Sequence, residues 1–341
     1  MTTTLGRIEP ARVADPALLD PEALPSDHVL RELHDDLVAQ KRRALLRASP
    51  LLLLAAFAAI GAVSDPAHLS GLMIFCAVTT TMIGQVGYEW VALRRLDPLE
   101  HYRREQRFDA QQRAHQIAYF ERMAAIRPYV SISLVALIIG VSIVEFASGP
   151  LTQSVQAAGL VKPATRAGQW WRLLTASYLH GSLFHLLANT NALLILGRLV
   201  ETYDRRLRVP LVYLAGAIGG CLLSTFADSG RASIGASGGV IALAGYLLVV
   251  AGSSAGVTAA WIRKQMLSIL ASTAVLGVAA FMFIDNAGHL GGAVTGALVG
   301  WIVKRIGGRY RWQLDGAGLA AGVVLAAGAV FTVLRLVFAI K

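Results

Sequence analysis

Three separated stretches of this 341-residue chain carry reactive side chains inside otherwise apolar runs. Ser237 sits among small residues in "SIGASGGVIALAGYL" (233–247), His185 and Asn189 stand four apart in "YLHGSLFHLLANTNALL", and His289 opens "HLGGAVTGALVGW". Ionisable groups at membrane depth are costly and face the bundle interior, so each asks for a reason. A serine hydroxyl is a poor nucleophile until a base takes its proton, and a neutral imidazole suits that task near pH 7. The oxyanion that follows needs donors, which backbone N–H groups at a helix start and the side chains of Asn189 and His185 could supply. Taken singly, each stretch has a plainer reading. Ser237 within Gly235-Ala236-Ser237-Gly238-Gly239 reads as a packing serine. The His185/Asn189 pair serves an interhelical hydrogen bond equally well, and His289 could cap a helix or pair with Asp285. The combination points to acyl-transfer chemistry.

The elements that must position these groups are helices. His185 and Asn189 share one helix face. Gly288, Gly292, Gly296 and Gly300 form a stripe with a period of four, and Gly238, Ala242 and Gly245 offer a matching small face on the helix that begins at Ser237. Small-residue stripes let helix backbones approach closely. If those two meet, a nucleophile and a base lie side by side near the outer ends of adjacent helices.

Composition sets the surroundings. With 55% hydrophobic and 15% charged residues and mean hydropathy +0.56, the chain is far more apolar than a soluble protein, which is about 25% charged. Nine stretches are apolar and long enough to be candidate spans: 48–64, 70–93, 128–147, 183–202, 209–227, 237–253, 266–284, 287–303 and 315–338. The net charge of +10 is concentrated in short clusters between these runs, a pattern that writes membrane topology and argues against nucleic-acid binding. A cytoplasmic N-terminus puts the large clusters inside, among them the eight arginines of 94–127. Cys76 and Cys221 both lie in apolar runs, with no disulfide framework or metal-ligand spacing. No metal or cofactor is expected. Residues 1–46 are polar and lack the pattern of a cleavable signal peptide.

The expected organisation is a cytoplasmic segment (1–46), a transmembrane hairpin (47–93), a basic connector helix (94–127), a six-helix core (128–304), and a basic loop with one more transmembrane helix (305–341). In the connector, Tyr102, Phe108, Tyr119 and Phe120 are candidate interfacial anchors. The stretch 149–182, with Trp170, Trp171 and Tyr178, reads as a loop embedded in the outer interface.

The chain resembles the rhomboid family of intramembrane serine proteases through four separated motifs across residues 128–304. "WWRLLTASYLHGSLFHLLANTNALLILG" is similar to the family's WR motif followed by its HxxxN helix, giving Trp171-Arg172 and His185 with Asn189. "GASG" resembles its GxSG motif, with Gly235, the nucleophile Ser237 and Gly238. "GHLGGAVTG" is similar to its AHxxGxxxG, with His289 as general base of a Ser/His dyad. Glu201 resembles a structural glutamate of the second core helix, and His180 a histidine near the oxyanion region. Two positions depart: Gly288 replaces the motif alanine, and Ile241 stands four after the nucleophile, where an aromatic residue often stacks on the base.

The resemblance implies an all-α polytopic membrane protein with a rhomboid-like six-helix core. It also implies a serine endopeptidase that cleaves membrane-anchored proteins near the outer face, with transmembrane protein substrates and the lipid bilayer as its partners. The Ala, Gly, Leu and Arg richness suits a bacterial inner or plasma membrane. The alternative is a rhomboid-like pseudoprotease that binds membrane clients without cutting them, a reading disfavoured because Ser237 and His289 are both present. A transporter would show inverted repeats or paired broken helices. A soluble hydrolase using GxSxG needs a strand before the serine and an acid between serine and histidine.

Overall fold

A computed structural model describes residues 27–62, 90–91, 94–95, 97, 110–227, 232–252, 256–279, 284–306 and 308–339. The chain divides into two compact units, Met1–Ala110 and Gln111–Lys341. In the first, helix α1 (Asp27–Ala62) runs for 36 residues from the polar segment into the first expected span, with no break at the anticipated boundary of 46 and 47. Residues 63–89 and 92–93 of the expected hairpin, with Cys76, and Tyr102 and Phe108 of the connector lie outside the described residues.

The remaining helices are α2 (Ala110–Ala125), α3 (Tyr129–Ala147), α4 (Leu151–Ala158), α5 (Lys162–Arg166), α6 (Arg172–Thr175), α7 (Leu183–Tyr203), α8 (Arg208–Ala227), α9 (Ser237–Gly252), α10 (Val257–Ala279), α11 (Asn286–Ile306) and α12 (Arg311–Ala339). The protein is an all-α polytopic membrane protein. Helices α3, α7, α8 and α12 are each long and apolar enough to cross a bilayer. Helix α10 begins at Val257, well before the expected 266, and carries Arg263 and Lys264 in its first half.

Helix α9 is apolar on every side, as a helix surrounded by others must be, and it is buried continuously from Gly239 to Leu247. With 16 residues at about 1.5 Å each it spans roughly 24 Å, short of the ~30 Å hydrocarbon core. It is thus shorter than a full span, and Ser237 at its start is reached by the non-helical segment 232–236.

Glycines fix how tightly α9 is clasped. A methyl group on Gly292 would overlap the carbonyl of Gly238, one on Gly296 that of Ala242, and one on Gly300 would lie 3.0 Å from that of Tyr246. Thus α9 and α11 touch backbone to backbone along the expected stripes. Gly288 departs from the expectation: its carbonyl lies against Gly220 of α8, and its own missing side chain leaves room for Asp285. A third small face, Gly216, Gly219 and Gly220 of α8, closes on Ala242, Thr295 and Gly288.

Helix α2 packs on its neighbours through two of the candidate anchors. Tyr119 and Phe120 of α2 meet Tyr203 of α7 and Trp261 of α10 edge to face, at 6.4 and 5.0 Å between ring centres, and Arg198 donates to the carbonyls of Met123, Ala124 and Ile126. The 149–182 stretch forms α4, α5 and α6, which pack on the protein. Its Trp171 packs against Phe331 of α12 and lies between the guanidinium groups of Arg172 and Arg335, while Trp170 remains 48% exposed.

Candidate active site

The geometry begins with the segment before α9. Leu160 and Ser233 exchange backbone hydrogen bonds at 2.9 and 3.1 Å, and the Gly235 N–H donates to Ala176 O at 2.9 Å. Gly235 has φ +129°, a conformation that favours glycine, and a Cβ there would lie 2.8 Å from the His185 ring. Those two constraints turn the chain into α9 with Ser237 as its first residue. The N–H groups of a first helical turn have no carbonyl one turn before them, so they are available to an anion.

From α11, His289 brings Nε2 to 2.8 Å from Ser237 Oγ. Both residues are half-buried. His289 Nδ1 has no hydrogen-bond partner among the described residues. The nearest acid in sequence, Asp285, does not hydrogen-bond the ring. It is the N-cap of α11, accepting the Gly288 N–H at 2.8 Å on one oxygen and the Ser224 hydroxyl on the other. The Ser237–His289 contact thus has no carboxylate behind it among the described residues. Ile241 is 8% exposed, and no aromatic ring stacks on His289 among the described residues.

Helix α7 supplies the opposite wall. Its N-cap Ser182 accepts the His185 N–H, and Asn189 Nδ2 donates to His185 O at 3.2 Å, leaving a second N–H on the amide. His185 Nδ1 lies 2.8 Å from His180 O. A carbonyl only accepts, so the proton belongs on Nδ1, and the neutral ring presents a lone pair at Nε2. Asn189 and the first-turn N–H groups thus present free donors toward Ser237, whereas the neutral His185 ring presents an acceptor at Nε2 and would donate there only as imidazolium.

Behind this wall stands a layer of buried polar groups. His180 is 1% exposed, with Nδ1 at 3.1 Å from Tyr178 O and at 3.2 Å from Ser142 Oγ. Burial, with the neighbouring His185 as a second cause, lowers its pKa to about 3. Glu145, which sequence reasoning missed, accepts the N–H groups of His180 and Gly181 at 2.8 and 3.0 Å from the end of α3. The signal was available, since an acid inside an apolar span needs partners.

The other expected supporting residues lie farther out. Arg172 is 4% exposed and donates to Gln169 Oε1, Gly159 O and Gln156 O at 2.7, 2.7 and 2.8 Å, which fixes the 149–182 stretch. Glu201 accepts the N–H and hydroxyl of Ser131 at 2.8 and 2.6 Å, capping α3 at the opposite end of the bundle. Ser237, His289, His185, Asn189, His180, Gly235 and Gly238 thus converge at one end, while Trp171 and Arg172 brace the adjoining stretch and Glu201 does not reach the site. Among the described residues no cluster of His, Cys, Asp and Glu could hold a metal ion.

Residues 167–306 match the family model of the rhomboid domain. RHOMBOID-like protein 4 of Arabidopsis thaliana is 32% identical over 174 residues, which cover 50% of this chain and 44% of that protein. Rhomboid protease GluP of Bacillus subtilis (strain 168) is 40% identical over 129 residues, 38% of this chain and 25% of that protein. Rhomboid-related protein 2 of Mus musculus is 30% identical over 144 residues, 39% of this chain and 48% of that protein. The matched region thus spans about half or less of each of these relatives.

Proposed function

We propose that this chain, a rhomboid family protein by its domain at 167–306, is an intramembrane serine endopeptidase acting through Ser237 and His289. The observation that carries the reading is the 2.8 Å separation of Ser237 Oγ and His289 Nε2 at the mouth of a helix bundle. Ser237 Oγ attacks the scissile carbonyl carbon as its proton passes to His289 Nε2, and the resulting oxyanion is met by Asn189 and the first-turn N–H groups of α9. His289 then gives the proton to the departing amine, breaking the C–N bond and leaving an acyl-serine. Water, deprotonated by the same imidazole, releases the second product and restores the dyad.

The substrates are membrane-anchored proteins. Ser237 opens α9, a helix enclosed by other apolar helices, so a chain already lying in the bilayer is the one best situated to reach it. The basic clusters support an orientation with the site on the outer side, and the composition supports a bacterial inner or plasma membrane.

Reconstitution with a single-span model substrate tests the reading. Cleavage into two fragments by the wild type and none by Ser237→Ala is expected. A folded wild type that binds such substrates without cutting any of them would move the protein to the pseudoprotease class, and cleavage that survives Ser237→Ala would place the nucleophile elsewhere.

A further inference from the structure

At the end of the bundle away from Ser237, the last turns of α7, α9 and α11 and the first turns of α8 and α12 enclose a cavity of about 540 Å³. Its charge is one-sided: Arg205, Arg208, Lys304 and Arg311 line it against the single carboxylate of Asp204. An adjoining cavity of about 420 Å³ shows the contrast, because there Arg122, Arg205 and Arg206 face Glu201, Asp204 and Asp315. The second is balanced and the first is not.

The acids beside Arg205 and Arg208 engage only part of those two guanidinium groups. Asp315, 8% exposed, takes three hydrogen bonds, two from Arg205 at 3.1 and 2.6 Å and one from Arg208 at 3.0 Å. Each guanidinium carries five N–H donors. Asp204 is occupied by the hydroxyl of Tyr246. Arg208 is 2% exposed, and its Nε, 3.9 Å from Asp204 Oδ2, makes no hydrogen bond among the described residues. Arg208 is therefore held by Asp315 and Asp204 at the inner wall, with the remaining guanidinium N–H groups of Arg205 beside a cavity that a small anion would fit.

We infer that this cavity binds a phosphate group, held by Arg208 and Arg205 from within and by Lys304 and Arg311 at the rim. Arginine forks match phosphate oxygens. Because the cavity opens among helix ends, where a bilayer places its headgroups, the phosphate can come from an anionic lipid or from solution; basic pockets between transmembrane helices commonly take lipid headgroups. The inference does not depend on the chemistry proposed for Ser237, about 20 Å or more away along α9.

Full-length protein in a neutral detergent provides the test, by direct binding of dioctanoyl phosphatidylglycerol and of inorganic phosphate, with dioctanoyl phosphatidylcholine as control. Phosphatidylglycerol should bind more tightly than phosphatidylcholine, and the double variant Lys304→Gln/Arg311→Gln should weaken it at least about tenfold, as expected when charged hydrogen-bond donors are lost. Both rim side chains are exposed, so this variant should fold even if Arg208→Gln does not, with an unchanged melting temperature as the check. Parallel binding of inorganic phosphate, equally weakened, identifies the phosphate group alone as sufficient. Binding of phosphatidylglycerol without inorganic phosphate identifies a lipid headgroup. Absence of both, or equal binding by the double variant and the wild type, overturns the inference.

Discussion

The Ser224 hydroxyl donates to Asp285, whose other oxygen accepts the Gly288 N–H at 2.8 Å. The carboxylate nearest in sequence to His289 is therefore committed to starting α11, and His289 Nδ1 is left without a hydrogen-bond partner among the described residues. Asn is nearly as good an N-cap as Asp. Asp285→Asn should keep the melting temperature close to wild type and cost far less turnover than the roughly 10⁴ seen when a buried triad aspartate is changed. Asp285→Ala should lower stability by about 1 kcal/mol. Thermal unfolding and initial cleavage rates of both variants check this, and a loss near 10⁴ with Asn would give Asp285 a catalytic share.

Gly235→Ala joins two penalties at one position. The φ of +129° disfavours a side chain, and the new methyl group would press on the His185 ring at 2.8 Å. Since a shift of about 1 Å can cost on the order of 10² in rate, cleavage should fall at least that far while the helical content stays unchanged. Near-normal rates would mean that the approach to Ser237 tolerates movement.

The backbone contact of α9 and α11 yields a matched pair of substitutions. Gly292→Ala places a methyl group on the Gly238 carbonyl, whereas Gly140→Ala meets nothing within 4 Å. The first should separate Ser237 from His289 and abolish most cleavage, and the second should leave it intact. Equal activity of the two variants would show that the stripe does not set the dyad distance.

How much of this was legible in the sequence depended on periodicity. The Gly292–Gly296–Gly300 stripe and its partner on α9 could be paired because both repeat at helical spacing. The Gly216–Gly219–Gly220 face of α8 follows the same rule but carries no reactive residue to draw attention to it. Contacts between distant loops left no such trace: the Leu160–Ser233 pairing, the hold of Glu145 on His180 and Gly181, and the packing of Trp171 between two arginines depend on the tertiary fold. The proton position on His185 likewise follows from a carbonyl contact that no motif encodes.

His180 makes stability depend on pH. Its folded pKa of about 3 lies below the ordinary 6.5, so the unfolded chain takes up a proton first as pH falls. The contribution is fully present above 6.5 and is lost progressively below it, by at most about 1.4 kcal/mol per pH unit. Melting temperatures between pH 7 and pH 4.5 should fall more steeply for the wild type than for His180→Gln. Parallel slopes would show that the buried imidazole is not the group responsible.

The dyad itself is most directly tested by labelling of the detergent-solubilised protein with a fluorescent fluorophosphonate, which needs no knowledge of the substrate. A serine activated by its neighbour reacts, whereas an unactivated hydroxyl does not. The wild type should label at a single site, Ser237→Ala should not label, and His289→Ala should label weakly, because residues that act as one unit fail together. A folded wild type that does not label, or labelling that persists in Ser237→Ala, would contradict the assignment of Ser237 as a nucleophile activated by His289.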